Sequence, residues 1–306
     1  MKNKIALATA AMVAGSSLAT AEIVINDFLS FEGFVDMSYT HTDAELDGES
    51  DNESSFQIDQ VEISWLFNFD PVTAQIDLEY EDTSGVSDTE VEQAFATYHF
   101  DNGGAITAGR YASMLGFEAF EPTGLYQYSY AYDVLAGDVS VLPGYAQGVK
   151  FTYETDTTFF GISLQDEAFD TGNDQLGGNN GTSSYAVEIA GSAQLGNGVA
   201  VFLGGVYEDS EVVDSDSYAI NAYITLESGA WLFAGEMNYG NFEGGQVLSA
   251  VAAANEEEDV FQALAMANFA YSEAASVTGR ISYSDHELDN GGSADFVKFT
   301  LAHGYA

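Results

Sequence analysis

The sequence predicts an all-β chain, a transmembrane antiparallel β-barrel. Three observations carry that reading. Apolar and polar residues alternate with period two through most of the chain, not with the 3.6 of a helix. The connections between these alternating segments are short and long by turns. After an N-terminal leader, no stretch approaches the ~20 apolar residues that a membrane helix needs.

The leader comes first. Lys2 and Lys4 precede the apolar run from Ile5 to Ala14, and Ala19-Thr20-Ala21 is a small-x-small cleavage site. The run is too short to span a bilayer as a helix. Residues 1–21 are therefore expected to be a cleaved signal peptide, and residues 22–306 the outer-membrane barrel.

The strands follow. Val61, Ile63, Trp65, Phe67 and Phe69 alternate with Glu62, Ser64 and Asn68. Ile76, Leu78 and Tyr80 alternate with Asp77, Glu79 and Glu81, and Tyr218, Ile220, Ala222, Ile224 and Leu226 with Asn221, Thr225 and Glu227. Trp231, Phe233, Met237 and Tyr239 alternate with Glu236 and Asn238, and Val277, Ile281 and Tyr283 with Thr278, Arg280, Ser282 and Ser284. One face of each segment is apolar and the other polar. The pattern predicts 14 strands, at about 29–40, 56–69, 72–82, 90–101, 104–114, 145–155, 158–168, 183–196, 198–211, 216–228, 230–242, 259–272, 275–287 and 294–305. Several reach the ~9–11 residues of a membrane strand.

Short connections are Asp70-Pro71, Asp101-Asn102-Gly103-Gly104, Thr155-Asp156-Thr157, Leu195-Gly196-Asn197-Gly198, Ser228-Gly229 and Glu273-Ala274. Long ones lie between them, at 41–55, 83–89, 115–144, 169–182, 209–216, 243–258 and 288–294. Bacterial barrels are built this way, with short periplasmic turns and long outer loops. The first strand then runs outward and the last runs back, so both termini are expected in the periplasm. A soluble sandwich has no reason to sort its loops by length, and its strands would be shorter. Asp43 to Ser54 reads as a mobile acidic loop tip, and Gln246 to Glu258 as a short helix within a loop. The ending His303-Gly304-Tyr305-Ala306 departs from the terminal aromatic common in bacterial barrels. Either Tyr305 stands in its place, or the barrel has 16 strands and the sequence is incomplete; the second reading is favoured.

Composition narrows the function. There is no cysteine, so disulfides and thiol chemistry are excluded. Three prolines, 31 glycines, 18 tyrosines and 21 phenylalanines suit sheets with tight turns and aromatic girdles. The 49 acidic residues face only six Lys and Arg, two of them in the leader, so nucleic-acid binding is excluded. Acidic surfaces attract cations and hold off anions. Adaptation to salty water explains such acidity as well as a transport role does, and both can hold.

The four remaining cations, Arg110, Lys150, Arg280 and Lys298, all fall inside predicted strands. A cation facing lipid at the midplane costs ~2–4 kcal/mol, so these four are expected to line the lumen. Lys150 and Lys298 alternate against apolar neighbours, and Arg280 sits on the polar side. Arg110 shares its parity with Ile106 and Ala108. The expected lumen wall also holds Glu62, Asp77, Glu79, Glu154, Glu188, Glu227 and Glu236. The cations either face acids across a constriction or pair structurally with such wall carboxylates. The longest loop, 115–144, alternates Tyr126, Tyr128, Tyr130 and Tyr132 with Gln127, Ser129 and Ala131. So aromatic a loop is expected to fold into the lumen, placing Glu118, Glu121, Asp133 and Asp138 near the path. The alternative is packing on the rim or against a neighbouring subunit.

Three blocks carry a family resemblance: GFVDMSYTHT at 33–42, AITAGRYASMLGFEAFEPTGLYQYSYAYDV at 105–134 and GVKFTYE at 148–154. With them the chain resembles the OmpL-like β-barrel porin family, loosely over most of its length and most sharply from Gly109 to Tyr132. The resemblance implies a general-diffusion or weakly selective channel with 115–138 as its constricting segment.

Enzyme readings find little support, so no catalytic residue is expected. The histidines His41, His99, His286 and His303 come with no distinctive partner motif, and no zinc spacing is present. Asp170-Thr171-Gly172-Asn173-Asp174 has the look of a Ca²⁺ loop but lacks the closing glutamate of an EF-hand, so neither metal nor cofactor is expected. The sequence thus predicts an outer-membrane porin passing small hydrophilic solutes with a cation preference. Its expected partners are outer-membrane lipids, lipopolysaccharide and copies of itself as a trimer. The alternative is a non-channel barrel, an adhesin or surface scaffold whose acidic loops bind divalent ions.

Overall fold

The computed structural model describes residues 22–46, 49–83, 86–118, 124–132, 141–169, 185–210, 215–243 and 257–305. Among them are fifteen β-strands and no α-helix. They form two runs, each an antiparallel meander. The first run is β1 (Ile23–Asn26), β2 (Leu29–Leu46), β3 (Glu49–Asn68), β4 (Val72–Thr83) and β5 (Val86–His99). The second begins with β6 (Gly104–Ala112), β7 (Tyr145–Glu154), β8 (Thr158–Gln165), β9 (Tyr185–Gly196) and β10 (Val199–Ser210). It continues with β11 (Ser215–Ser228), β12 (Trp231–Phe242), β13 (Glu258–Ser272), β14 (Ala275–Leu288) and β15 (Ser293–Tyr305).

Each of the 14 predicted strands falls on an observed one, and β1 is additional. It pairs with the start of β2 across a turn in which the Asn26 side chain accepts the Phe28 and Leu29 N–H groups. Two predicted long loops are instead largely strand. The β2–β3 ladder continues to Leu46 and Glu49 through the supposed tip 43–54, and β4 and β5 extend to Thr83 and Val86. A ladder is made by the backbone, so it persists where side chains no longer alternate. The expected helix at 246–258 falls mostly outside the described residues, and Glu258 opens β13. Asp170 to Asp174 also lie outside them. At one short turn, Gly196, Asn197 and Gly198 all have positive φ (87°, 56° and 79°), a conformation natural to glycine and tolerated by asparagine.

Burial inverts the order of a water-soluble protein. Among the largest fully buried side chains are Arg280, His286, Gln262, Glu188, Glu208 and Glu258. Such groups are rarely interior in a soluble fold. The opposite face bares Leu203, Ile224, Met237 and Phe299. Strand β12 shows it residue by residue: Trp231, Phe233, Met237 and Tyr239 are exposed, and Glu236 and Asn238 buried. That order suits a sheet whose outer solvent is lipid.

Candidate functional site

The chain leaves β6 at Ala112 and rejoins the sheet at Tyr145. The described parts of this connection, 113–118, 124–132 and 141–144, lie on the buried polar face of β9 to β15. A loop in such a place has no ladder to satisfy its backbone, so each buried N–H and C=O needs some other partner. The wall supplies them by charge.

Acceptors hold the first arm. Glu188 of β9 accepts the Ser113 hydroxyl at 2.9 Å and the Met114 N–H at 2.6 Å. Asn221 of β11 accepts the Gly116 N–H at 3.0 Å, and Glu236 of β12 the Phe117 N–H at 2.8 Å. Two wall glycines make room: a Cβ at Gly161 would lie 2.3 Å from Met114 Sδ, and one at Gly204 2.5 Å from Leu115 Cδ2. Phe117 stacks on Tyr126 and meets the edge of Tyr223, which stacks on Phe202. Phe117 and Tyr126 thus pack toward β10 and β11, while Tyr128 is exposed.

Donors hold the middle segment. Arg280 of β14 donates to the Ser129 carbonyl at 2.7 Å and pairs with the Glu118 carboxylate. Lys298 of β15 donates to the Tyr130 carbonyl at 2.9 Å. Ser282 donates to the Ala131 carbonyl. Gln127 donates to the Thr278 carbonyl at 3.0 Å, and the Tyr132 hydroxyl to Glu236 at 3.0 Å. Burial lifts the Glu118 carboxyl above the usual range, with Arg280 pulling the other way. Burial, with Glu236 adding to it, likewise raises the Tyr132 hydroxyl.

A family model described as "Putative beta-barrel porin-2, OmpL-like" matches residues 29–303. The chain belongs to that family. No curated protein matches it. Among solved structures it is similar to outer-membrane expressed OmpT of Vibrio cholerae, at 13% identity and a TM-score of 0.58, over 93% of this chain and 84% of that one. A trimer form of in-vitro folded OmpT from the same organism gives 14% identity and a TM-score of 0.54, over 91% and 84% of the two chains. The outer-membrane channel DcaP of Acinetobacter baumannii gives 11% identity and a TM-score of 0.54, over 90% and 96%. The fold of this family member is therefore that of the outer-membrane porin barrels.

The structure sorts the expected site residues. Arg280 and Lys298 meet the loop, and Lys150 reaches its base, donating to the Ala112 carbonyl at 3.4 Å above the Tyr111 ring. Arg110 is buried like Thr107 and Tyr111, although it shares the parity of exposed Ile106 and Ala108, and its guanidinium lies 5.8 Å from the centre of the Tyr145 ring. Of the loop acids, Glu118 is placed; Glu121, Asp133 and Asp138 lie outside the described residues. Glu188 and Glu236 are buried on the polar faces of β9 and β12 and accept loop N–H groups. Glu154 is half-buried on the face of Lys150, and Glu227 is exposed at a strand end. In the first run Glu62, Asp77 and Glu79 are buried on one face, with Glu62 opposite Glu79 and Asp77 opposite Ser64. Asp77 accepts Gln75 at 2.8 Å and Gln93 at 2.7 Å. Sequence reasoning missed the loop contacts of Asn221, Thr278 and Ser282. All three lie on the polar side of their strands' alternation, but alternation says nothing of partners a hundred residues away.

Proposed function

We propose that the protein is a porin passing small hydrophilic solutes, with a preference for cations, through a water-filled lumen narrowed by the 113–144 loop. The observation that carries this reading is the loop itself, fastened to the polar face of the sheet by Glu188, Glu236, Arg280 and Lys298. The mechanism is electrostatic focusing, not chemistry: fixed charges near low-dielectric walls raise the local concentration of counter-ions. Two of the cations that would attract anions, Arg280 and Lys298, are turned onto loop carbonyls and Glu118, and acids outnumber the basic residues of the chain. Both termini are periplasmic, residues 1–21 are the signal, and lipid and lipopolysaccharide cover the apolar face. A trimer is the proposed assembly, in keeping with the trimer form of the OmpT relative.

Planar-bilayer recording tests the proposal. In a KCl gradient the reversal potential should have the cation-selective sign and shrink at high salt, where the Debye length falls to ~3 Å at 1 M. Anion selectivity would overturn the charge argument.

A further inference from the structure

The return arm of the loop, 141–144, is held by another part of the wall. Its Val141 is almost fully buried, and its N–H points to Gln262 Oε1 of β13 at 3.4 Å. Gln262 Nε2 donates to Ser284 Oγ of β14 at 3.2 Å. Ser284 Oγ lies 2.7 Å from His286 Nε2, and His286 Nδ1 lies 2.9 Å from Glu258 Oε1 of β13. Gln262, His286 and Glu258 are fully buried, and Ser284 is 2% exposed.

A serine, a histidine and a carboxylate in this order have the connectivity of a hydrolytic triad. Access argues against one. A nucleophile must reach its substrate, and Ser284 is sealed on the buried face with its oxygen already accepting the Gln262 amide. The chain also continues past the serine, to Gln262 and Val141, links that a triad would not need. An ionised carboxylate only accepts, so His286 carries a proton on Nδ1. If every link has one donor and one acceptor, His286 Nε2 receives the Ser284 hydroxyl proton, and Ser284 is free to accept from Gln262. The Gln262 amide is then oriented with its oxygen toward the loop, where Val141 N–H needs an acceptor.

We infer that Gln262, Ser284, His286 and Glu258 form a positioning relay that orients the Gln262 carbonyl to hold the return arm of the loop. Glu258 fixes the imidazole, the imidazole fixes the hydroxyl, and the hydroxyl fixes the amide. The packing agrees: a Cβ at Gly240 would lie 3.3 Å from Val141 Cβ, so the arm lies directly against β12. Its far end joins the first arm, with Ser113 N–H donating to the Gly144 carbonyl at 2.8 Å. The consequence for conduction rests on the proposed porin function; the relay itself does not.

The test is amide hydrogen exchange on the full chain, refolded and checked by heat-modifiable migration, with conductance recorded alongside. Gln262→Met removes the acceptor while keeping the shape, and Val141 exchange should quicken by roughly three- to tenfold, the worth of one net hydrogen bond. Ser284→Ala should quicken it by a smaller factor, and Ser284→Thr, which keeps the hydroxyl, should restore the native rate. Asn268→Leu breaks a half-buried bond to Thr278 on the same two strands and should leave Val141 unchanged. Native exchange at Val141 in Gln262→Met would overturn the relay, as would covalent labelling of Ser284 by a fluorophosphonate. Faster exchange with unaltered conductance would uphold the relay and count against the loop as the narrowing element.

Discussion

Replacing Glu236 by leucine should release the first arm of the loop. Its carboxylate accepts the Phe117 N–H at 2.8 Å, the Tyr132 hydroxyl at 3.0 Å and the Asn221 amide at 2.8 Å. Asn221 keeps a second partner, Asn238 Oδ1 at 2.6 Å, so the two donors left without an acceptor both belong to the loop. Each buried orphan costs about 1–3 kcal/mol. Removing a buried carboxylate also removes its desolvation penalty, which offsets part of that sum. A net loss of about 2–3 kcal/mol in loop docking remains, a rise of roughly 30- to 140-fold in the undocked population at 1.4 kcal/mol per tenfold. Exchange of the Phe117 amide reads it directly. Glu154→Leu, on the same polar face but away from the described contacts of the loop, serves as the control and should leave Phe117 unchanged. Native exchange at Phe117 in Glu236→Leu would refute the reasoning, because the carboxylate would then be a lining charge and not an anchor.

Gly204→Val places carbon where Leu115 packs, 2.5 Å from its Cδ2, and should loosen the Met114 and Leu115 amides by about 1–3 kcal/mol. The β circular dichroism should be unchanged, and a native exchange pattern would show that the loop can shift aside at no cost. N-terminal sequencing of the mature protein should return Glu22, and a retained Met1 would contradict the leader reading.

The strands were legible because lipid on one side and polar contacts on the other force strict alternation. Strand β12 could be read from Trp231 to Tyr239 without help. What could not be read lies where that force is absent. Strand β1 has only four residues, too few to show a period. The β2–β3 extension runs through Asp43, Glu45, Asp51 and Glu53 with no apolar face to mark it. The site was half legible. Arg280 and Lys298 stood out as cations on polar faces, but their partners are largely backbone carbonyls of residues 129 and 130, which carry no sequence signature. Glu188 and Glu236 fall on the polar sides of their strands, while their use as acceptors depends on where a distant loop passes. His286 has no local motif at all; its partner Glu258 is brought in by register, since Glu258 lies opposite Leu288 at the end of the β13–β14 ladder.

Single-channel recording of the full chain beside a variant lacking residues 120–132 tests the central claim most directly. The segment removed includes Gln127, Ser129, Tyr130 and Ala131, through which the loop meets Thr278, Arg280, Lys298 and Ser282. The full chain should give discrete, cation-selective conductance steps, and the deletion should give larger steps with a relaxed size cut-off. A folded full chain that inserts without conducting, or a deletion with steps of unaltered size, would contradict a porin narrowed by this loop.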